Sequence, residues 1–180
     1  MIAPWLVLLV ASSAAATIGE PQQVTAAWLD PETREVLVRI EGTEFPTIRG
    51  LPLGGERPRR FETLGVVADW SDWSLDDRRD RLEALPATDP SLVQVERSSA
   101  RAIGRRSDET LRGYDVRVRL RGPRGSREVR VTTFGSPDVR VARVLNVPGE
   151  PYALVVLEYV GLDYEGGYSV EEPVLLRWSR

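Results

Sequence analysis

Apolar and polar residues alternate along much of this chain, and a period of two confines it to a β-rich fold. "VTAAWLDPETREVLVRIE" shows the pattern first. Val24, Ala26 and Trp28 share one side of an extended segment, and Val36, Val38 and Ile40 share one side of the next. Asp30-Pro31-Glu32-Thr33-Arg34 supplies the turn between them. Pairing Trp28 with Val36, Ala26 with Val38 and Val24 with Ile40 sends all six to one core, and this is the predicted register.

Further along, "RFETLGVVA" reads as a strand and "SLVQVE" as a short one. "GTEFPTIRGLPLGGERPRR" is punctuated by Gly and Pro and reads mostly as loop. Residues 97–112 are polar without a period and read as a connection. "YDVRVRLRGPRGSREVRVTTF" is a second hairpin, and "DVRVARVLNVPGEPYALVVLEYVG" a third, closed by Pro148-Gly149-Glu150-Pro151. Residues 152–160 are apolar at nearly every position, as in a central strand covered on both faces. "EEPVLLRW" reads as an edge strand, because Pro173 cannot donate to a ladder. The expected fold is mainly β (β-rich α+β). It is a meandering antiparallel sheet of about eight or nine strands folded on itself, with one short helix near 72–85.

The pentapeptide Trp70-Ser71-Asp72-Trp73-Ser74 resembles the WSXWS box of class I cytokine receptors and the Trp-rich strand of thrombospondin repeats. The residues after it read differently. Ser74-Leu75-Asp76-Asp77 has the spacing of a helix N-terminus, and Ser71 is a second capping candidate with Trp70 packed on Leu75. Leu75, Leu82 and Leu85 fall on one helical stripe, which predicts at least two helical turns within 71–85 facing the sheet. Nothing is carried over from either family.

Residues 1–16 combine an apolar run with Ala14-Ala15-Ala16, the pattern of a signal peptide cleaved before Thr17. An uncleaved anchor is the alternative. Residues 17–180 are then expected to form one β-rich domain, with no integral membrane span after cleavage. All 24 basic residues are Arg, and this bias together with the leader suggests a secreted or periplasmic bacterial protein.

His and Cys are both absent. That removes Ser-His-Asp and Cys-His catalysis, and with them zinc sites of imidazole and thiolate. No cofactor or metal is expected. Asp69, Asp72, Asp76, Asp77 and Asp80 crowd together, but without the spacing of an EF-hand, and they read as a solvated helix face. A small carboxylate-dependent hydrolase acting on glycans is the alternative function, drawing on Asp69, Asp72, Glu158, Asp163 or Glu165.

Charge is divided unevenly. Residues 97–130 hold 11 Arg against 4 acids, and the remainder 13 Arg against 23, within a net charge of −3. In the second hairpin Val116, Val118 and Leu120 point to the core, so Arg117, Arg119 and Arg121 point away. A turn at Gly122-Pro123-Arg124-Gly125 sets Arg119 opposite Glu128 and Arg117 opposite Arg130. Facing arginines repel unless an anion or an acid intervenes. Arg117, Arg119 and Arg130 are therefore candidate binding residues for an anionic lipid or an acidic polysaccharide. Nucleic acid is not expected of an exported chain with this net charge. The loop "GLDYEGGYSVEE" adds Asp163, Tyr164, Glu165 and Tyr168 as candidate ligand-binding residues. Arg143 and Glu158 interrupt apolar strands of the third hairpin. A register with Val147 opposite Tyr152 puts both on one face, and they are expected to form a structural charge pair. The function expected is that of an exported, non-catalytic recognition or envelope-assembly module.

Overall fold

The computed structural model describes residues 21–42, 47–54, 62–66, 78–103, 111–162 and 167–178. The expected leader and most of the expected helix, including Trp70, Trp73 and Leu75, lie outside the described residues. Among those described are strands β1 (Gln23–Asp30), β2 (Glu35–Glu41), β3 (Thr47–Pro52) and β4 (Glu62–Val66). Two short strands follow, β5 (Glu83–Ala84) and β6 (Ala87–Thr88). Then come β7 (Gln94–Ile103), β8 (Gly113–Gly122), β9 (Gly125–Phe134), β10 (Arg140–Asn146), β11 (Tyr152–Leu162) and β12 (Tyr168–Arg177).

The mainly β, antiparallel character is as predicted. The strands form three sheets, ordered β4-β3-β2-β1-β5, β12-β11-β10-β6 and β7-β8-β9. The sheet containing β11 is the middle layer. Leu154 and Val156 pack with Val24, Leu29, Val36, Val38 and Ile40 of the first sheet. Ala153, Val155 and Leu157 pack with Val116, Val118, Leu120 and Val131 of the third. All five β11 residues are completely buried, so the expectation of a strand covered on both faces holds. Full burial of one such Val or Leu is worth about 1.5–3 kcal/mol, so a polar substitution at any of Leu154–Leu157 would be costly. β12 lies at the edge of that sheet, as Pro173 requires.

The first hairpin departs from its predicted register by one residue. Val24 does oppose Ile40, but a bulge at Thr25 then pairs Ala27 with Val38 and Leu29 with Val36. Ala27 and Leu29 take the core positions expected of Ala26 and Trp28. Trp28 turns to the other face and packs with Leu37, Ile48 and Leu82. An extra residue in one strand reverses every side chain beyond it, and nothing in the alternation of β1 itself announces that residue.

Residues 78–85 correct the helix prediction. A single 3₁₀ turn, Arg79–Arg81, is followed by β5, in which Ala84 pairs with Trp28 and Glu83 with Leu29. Leu82 joins the Trp28 cluster, whereas Leu85 is buried in the opposite core. Three residues apart on a helix, these side chains would share a stripe; in extended chain an odd spacing puts them on opposite faces. The free edge of β1 takes the segment as a strand and overrides its local helical signal.

Two further corrections concern polar stretches. Thr47–Pro52, read as loop, is β3 and pairs with β2 from Thr47 to Pro52. Residues 97–103, read as a connection, continue β7, which pairs with β8 along its whole length. All seven of these residues are exposed, so no burial pattern was available to mark them as strand, although Gln94–Glu96 before them were read as one.

Candidate functional site

The second hairpin forms in the predicted register: Arg117 opposes Arg130, Arg119 opposes Glu128, and Gly122 opposes Gly125 across the turn. Val116, Val118 and Leu120 are buried, and Arg117, Arg119 and Arg121 are exposed. β7 extends this outer face on the far side, with Glu96 opposite Arg119, Ser99 opposite Arg117 and Arg101 opposite Asp115. One solvent-facing surface therefore carries Arg101, Arg117, Arg119, Arg121 and Arg130 among the acids Glu96, Asp115 and Glu128.

Most of these charges pair. Arg130 grips Asp115 with two bonds, Nε to Oδ1 at 2.7 Å and Nη2 to Oδ2 at 2.6 Å. Those bonds hold the Asp115 carboxyl below its ordinary range and raise the Arg130 guanidinium. Arg121 lies 3.0 Å from Glu96, and Arg119 lies 3.9 Å from Glu128. The facing pair Arg117/Arg130 is thus relieved by Asp115, on the diagonal. Arg117 itself has no acidic side chain within ion-pair distance among the described residues; its backbone carbonyl accepts from Ser98 Oγ at 3.0 Å. Arg101 is likewise without such a partner among them, and both cations add to the field that depresses Asp115. Exposed pairs of this kind contribute little to stability, and the open positive charge sits at the centre of the face.

The other candidates are not brought to this surface. Asp163, Tyr164 and Glu165 lie outside the described residues. Tyr168 opens β12 in the middle sheet, opposite Leu162 and partly buried.

Arg143 and Glu158 do share a face of the third hairpin, but not as a pair. Leu145 opposes Leu154 and Arg143 opposes Val156, the predicted register; a bulge at Ala142 then sets Arg140 directly opposite Glu158. Arg140 donates twice to Glu158, at 3.0 and 2.7 Å, and Ser169 Oγ donates to the same carboxylate at 3.0 Å. The Arg140 bonds are the main reason that Glu158 is held below the ordinary carboxylate range. Arg143 instead reaches Glu171 Oε2 and the Val24 carbonyl, both at 2.5 Å. Glu171 Oε2 also accepts from the Val24 amide at 2.7 Å. The Arg143–Glu171 pair thereby satisfies both backbone groups of Val24, just before the bulge. Beside it, Gln22 bridges to Val170 of β12, so the pair staples the first sheet to the middle one. Sequence reasoning missed Glu171 and Arg140 because two bulges separate sequence spacing from contact.

It also missed Asp30, which is fully buried. Asp30 Oδ1 accepts from the amides of Glu32 at 3.1 Å and Thr33 at 3.3 Å. Arg81 donates to both carboxylate oxygens at 3.1 Å, and Arg78 lies 3.5 Å away. Burial pushes this carboxyl up, but the Arg81 and Thr33 bonds outweigh it, and the net shift is downward. The only sequence signal was an Asp placed to cap its own turn.

The hydrolase alternative draws no new residue from the structure. Asp69, Asp72, Asp163 and Glu165 lie outside the described residues, and Glu158 is committed to Arg140 and Ser169. Among the described residues no group of three acids could hold a metal ion. No helix among them is long and apolar enough to cross a membrane. No protein-family model matches the chain, and no curated protein and no solved structure is found to resemble it.

Proposed function

We propose that the chain is an exported, non-catalytic recognition or envelope-assembly module that holds an anionic partner on the outer face of β7, β8 and β9. One observation carries the reading: Arg117 stands at the centre of an exposed face, opposite a second arginine, with no acidic partner among the described residues. Arg119 and Arg130 flank it, and each is already matched by an acid, so an incoming anion adds to the face without having to displace an internal bond. Anionic lipid and acidic polysaccharide both offer the required chemistry. Export rests on residues 1–16, and N-terminal sequencing of exported material should begin at Thr17; a start at Met1 would favour the anchor.

The test is binding to vesicles of anionic lipid, and to a soluble acidic polysaccharide, at low and at physiological ionic strength. Retention should fall as salt rises, because contacts between exposed charges are screened over about 8–10 Å. Arg117→Glu with Arg119→Glu should abolish it while leaving the fold intact, since both side chains point into solvent. Salt-insensitive binding by the wild type, no binding at all, or equal binding by the double variant would each refute the reading. Which probe is retained distinguishes a lipid surface from a glycan.

A further inference from the structure

We propose that two copies of this chain associate through β7, in antiparallel register, to join two outer faces into one six-stranded sheet. β7 is a ten-residue strand that, among the described residues, pairs on one side only. Its other edge presents a row of backbone donors and acceptors, a template for a further strand. Another edge of the molecule is covered: β12 receives Gln22 at Ser169 and Glu171, and Arg127 Nη1 at the Leu175 carbonyl, 2.6 Å away.

The sequence of β7 names the occupant, because it is complementary to itself. With a two-fold axis between Ser98 and Ser99, Glu96 of each copy lies opposite Arg101 of the other. Val95 then opposes Ala102, Arg97 opposes Ala100, and Gln94 opposes Ile103. A two-fold axis perpendicular to a sheet keeps each face on its own side. In a regular strand Glu96 and Arg101, five residues apart, would point to opposite faces and the register would be forbidden. The bulge between Arg97 and Ser99 removes that conflict. Glu96 opposes Arg119 and Arg101 opposes Asp115, so both lie on the outer face, where they meet twice across the axis.

An independent observation agrees. Leu92 and Ile103 are the large hydrophobic side chains exposed among the described residues, at 47% and 37%. Leu92 ends a 3₁₀ turn two residues before β7, and Ile103 is the last residue of β7. In the proposed register Ile103 of one copy lies opposite Gln94 of the other, two residues from Leu92, so an apolar side chain of each copy approaches the other at both ends of the interface. The association does not rest on anion binding: it gives Arg101, which has no acid within ion-pair distance among the described residues, a share of the Glu96 carboxylate that Arg121 already holds, and leaves Arg117 open.

The experiment is sedimentation velocity on the full chain over a concentration series in the micromolar range. The wild type should pass from monomer to dimer as concentration rises. Arg101→Glu sets two carboxylates against each other at both ends of the axis and should weaken the dimer by roughly tenfold or more. Glu96→Arg combined with Arg101→Glu reverses both charges and should restore it. Hydrogen exchange on the wild type gives a readout that needs no variant: β7 amides should gain protection as concentration rises. A monomer at every concentration, a dimer indifferent to Arg101→Glu, or failure of the charge swap to restore association with the fold intact by circular dichroism would overturn the proposal. Association through any other surface would ignore the swap. Loss of anion binding alone, with the dimer unchanged, would refute only the function proposed above.

Discussion

Replacing Asp30 by Ala tests the largest polar commitment in the described structure. The carboxylate is inaccessible to solvent and serves two turn amides and the Arg81 guanidinium. The turn residues Glu32 and Thr33 are exposed, so water can reach their amides once the acceptor is gone. Each such bond then costs about its net value, 0.5–1.5 kcal/mol. Severing a fully buried ion pair costs about 3–5 kcal/mol. Arg81 is 34% exposed, however, and its charge can be rehydrated, so about 1 kcal/mol is appropriate here. The total is about 2–4 kcal/mol. A domain of this size loses about 2–4 °C per kcal/mol, so the midpoint should fall by roughly 5–15 °C. Asp30→Asn keeps an oxygen for the turn amides and should cost about half as much.

The acid limb of the stability curve provides a second readout. Asp30 ionises below its ordinary value of 3.8 in the folded chain. Between those two values the unfolded chain binds a proton that the folded chain does not. Its stabilisation is therefore complete above 3.8 and is lost as pH falls through the lower folded value. The variant should lack that contribution, so its difference from wild type should shrink toward strong acid. The assay is thermal and urea unfolding followed by circular dichroism, from neutral pH down to strong acid. A loss below about 1 kcal/mol at neutral pH, or a difference independent of pH, would refute the reasoning.

Arg143→Met should cost about 1–2 kcal/mol, since it strips a partner from Glu171 and from the Val24 carbonyl, while Glu158→Gln should cost under about 1 kcal/mol because Arg140 is largely exposed. In double-mutant cycles Arg143 should couple to Glu171 and add independently with Glu158; coupling to Glu158 instead would contradict the observed pairing. Gly42→Ala should destabilise strongly, because φ is +107° and a Cβ there would lie 1.7 Å from the Pro21 carbonyl oxygen; an unfolding midpoint within error of wild type would show that the backbone yields there.

The candidate face was legible because every step to it was local. Alternation in β8 assigned the sides, and the Gly-Pro-Arg-Gly turn fixed the register with no irregularity between Gly113 and Gly122. The Arg143 pairing was not legible, because the bulge at Ala142 and a partner on β12 lie outside any pattern within its own hairpin. Residues 97–103 of β7 escaped notice for another reason. Hydrophobic periodicity reports burial, and a stretch exposed at every residue has none to report; only its backbone pairing with β8 reveals it.

The sequence by itself determined the β class, the buried centre at β11, the Arg-rich outer face and the absence of imidazole and thiol chemistry. These follow from side-chain type and from a period of two, which each residue carries with it. The tertiary structure alone decided that the strands form three layers, that Trp28 faces away from the core expected of it, and that residues 83–84 are strand. It also decided which arginine meets which acid. Those outcomes depend on bulges and on free strand edges, where one inserted residue or one unpaired backbone group outweighs the preference of the segment that meets it.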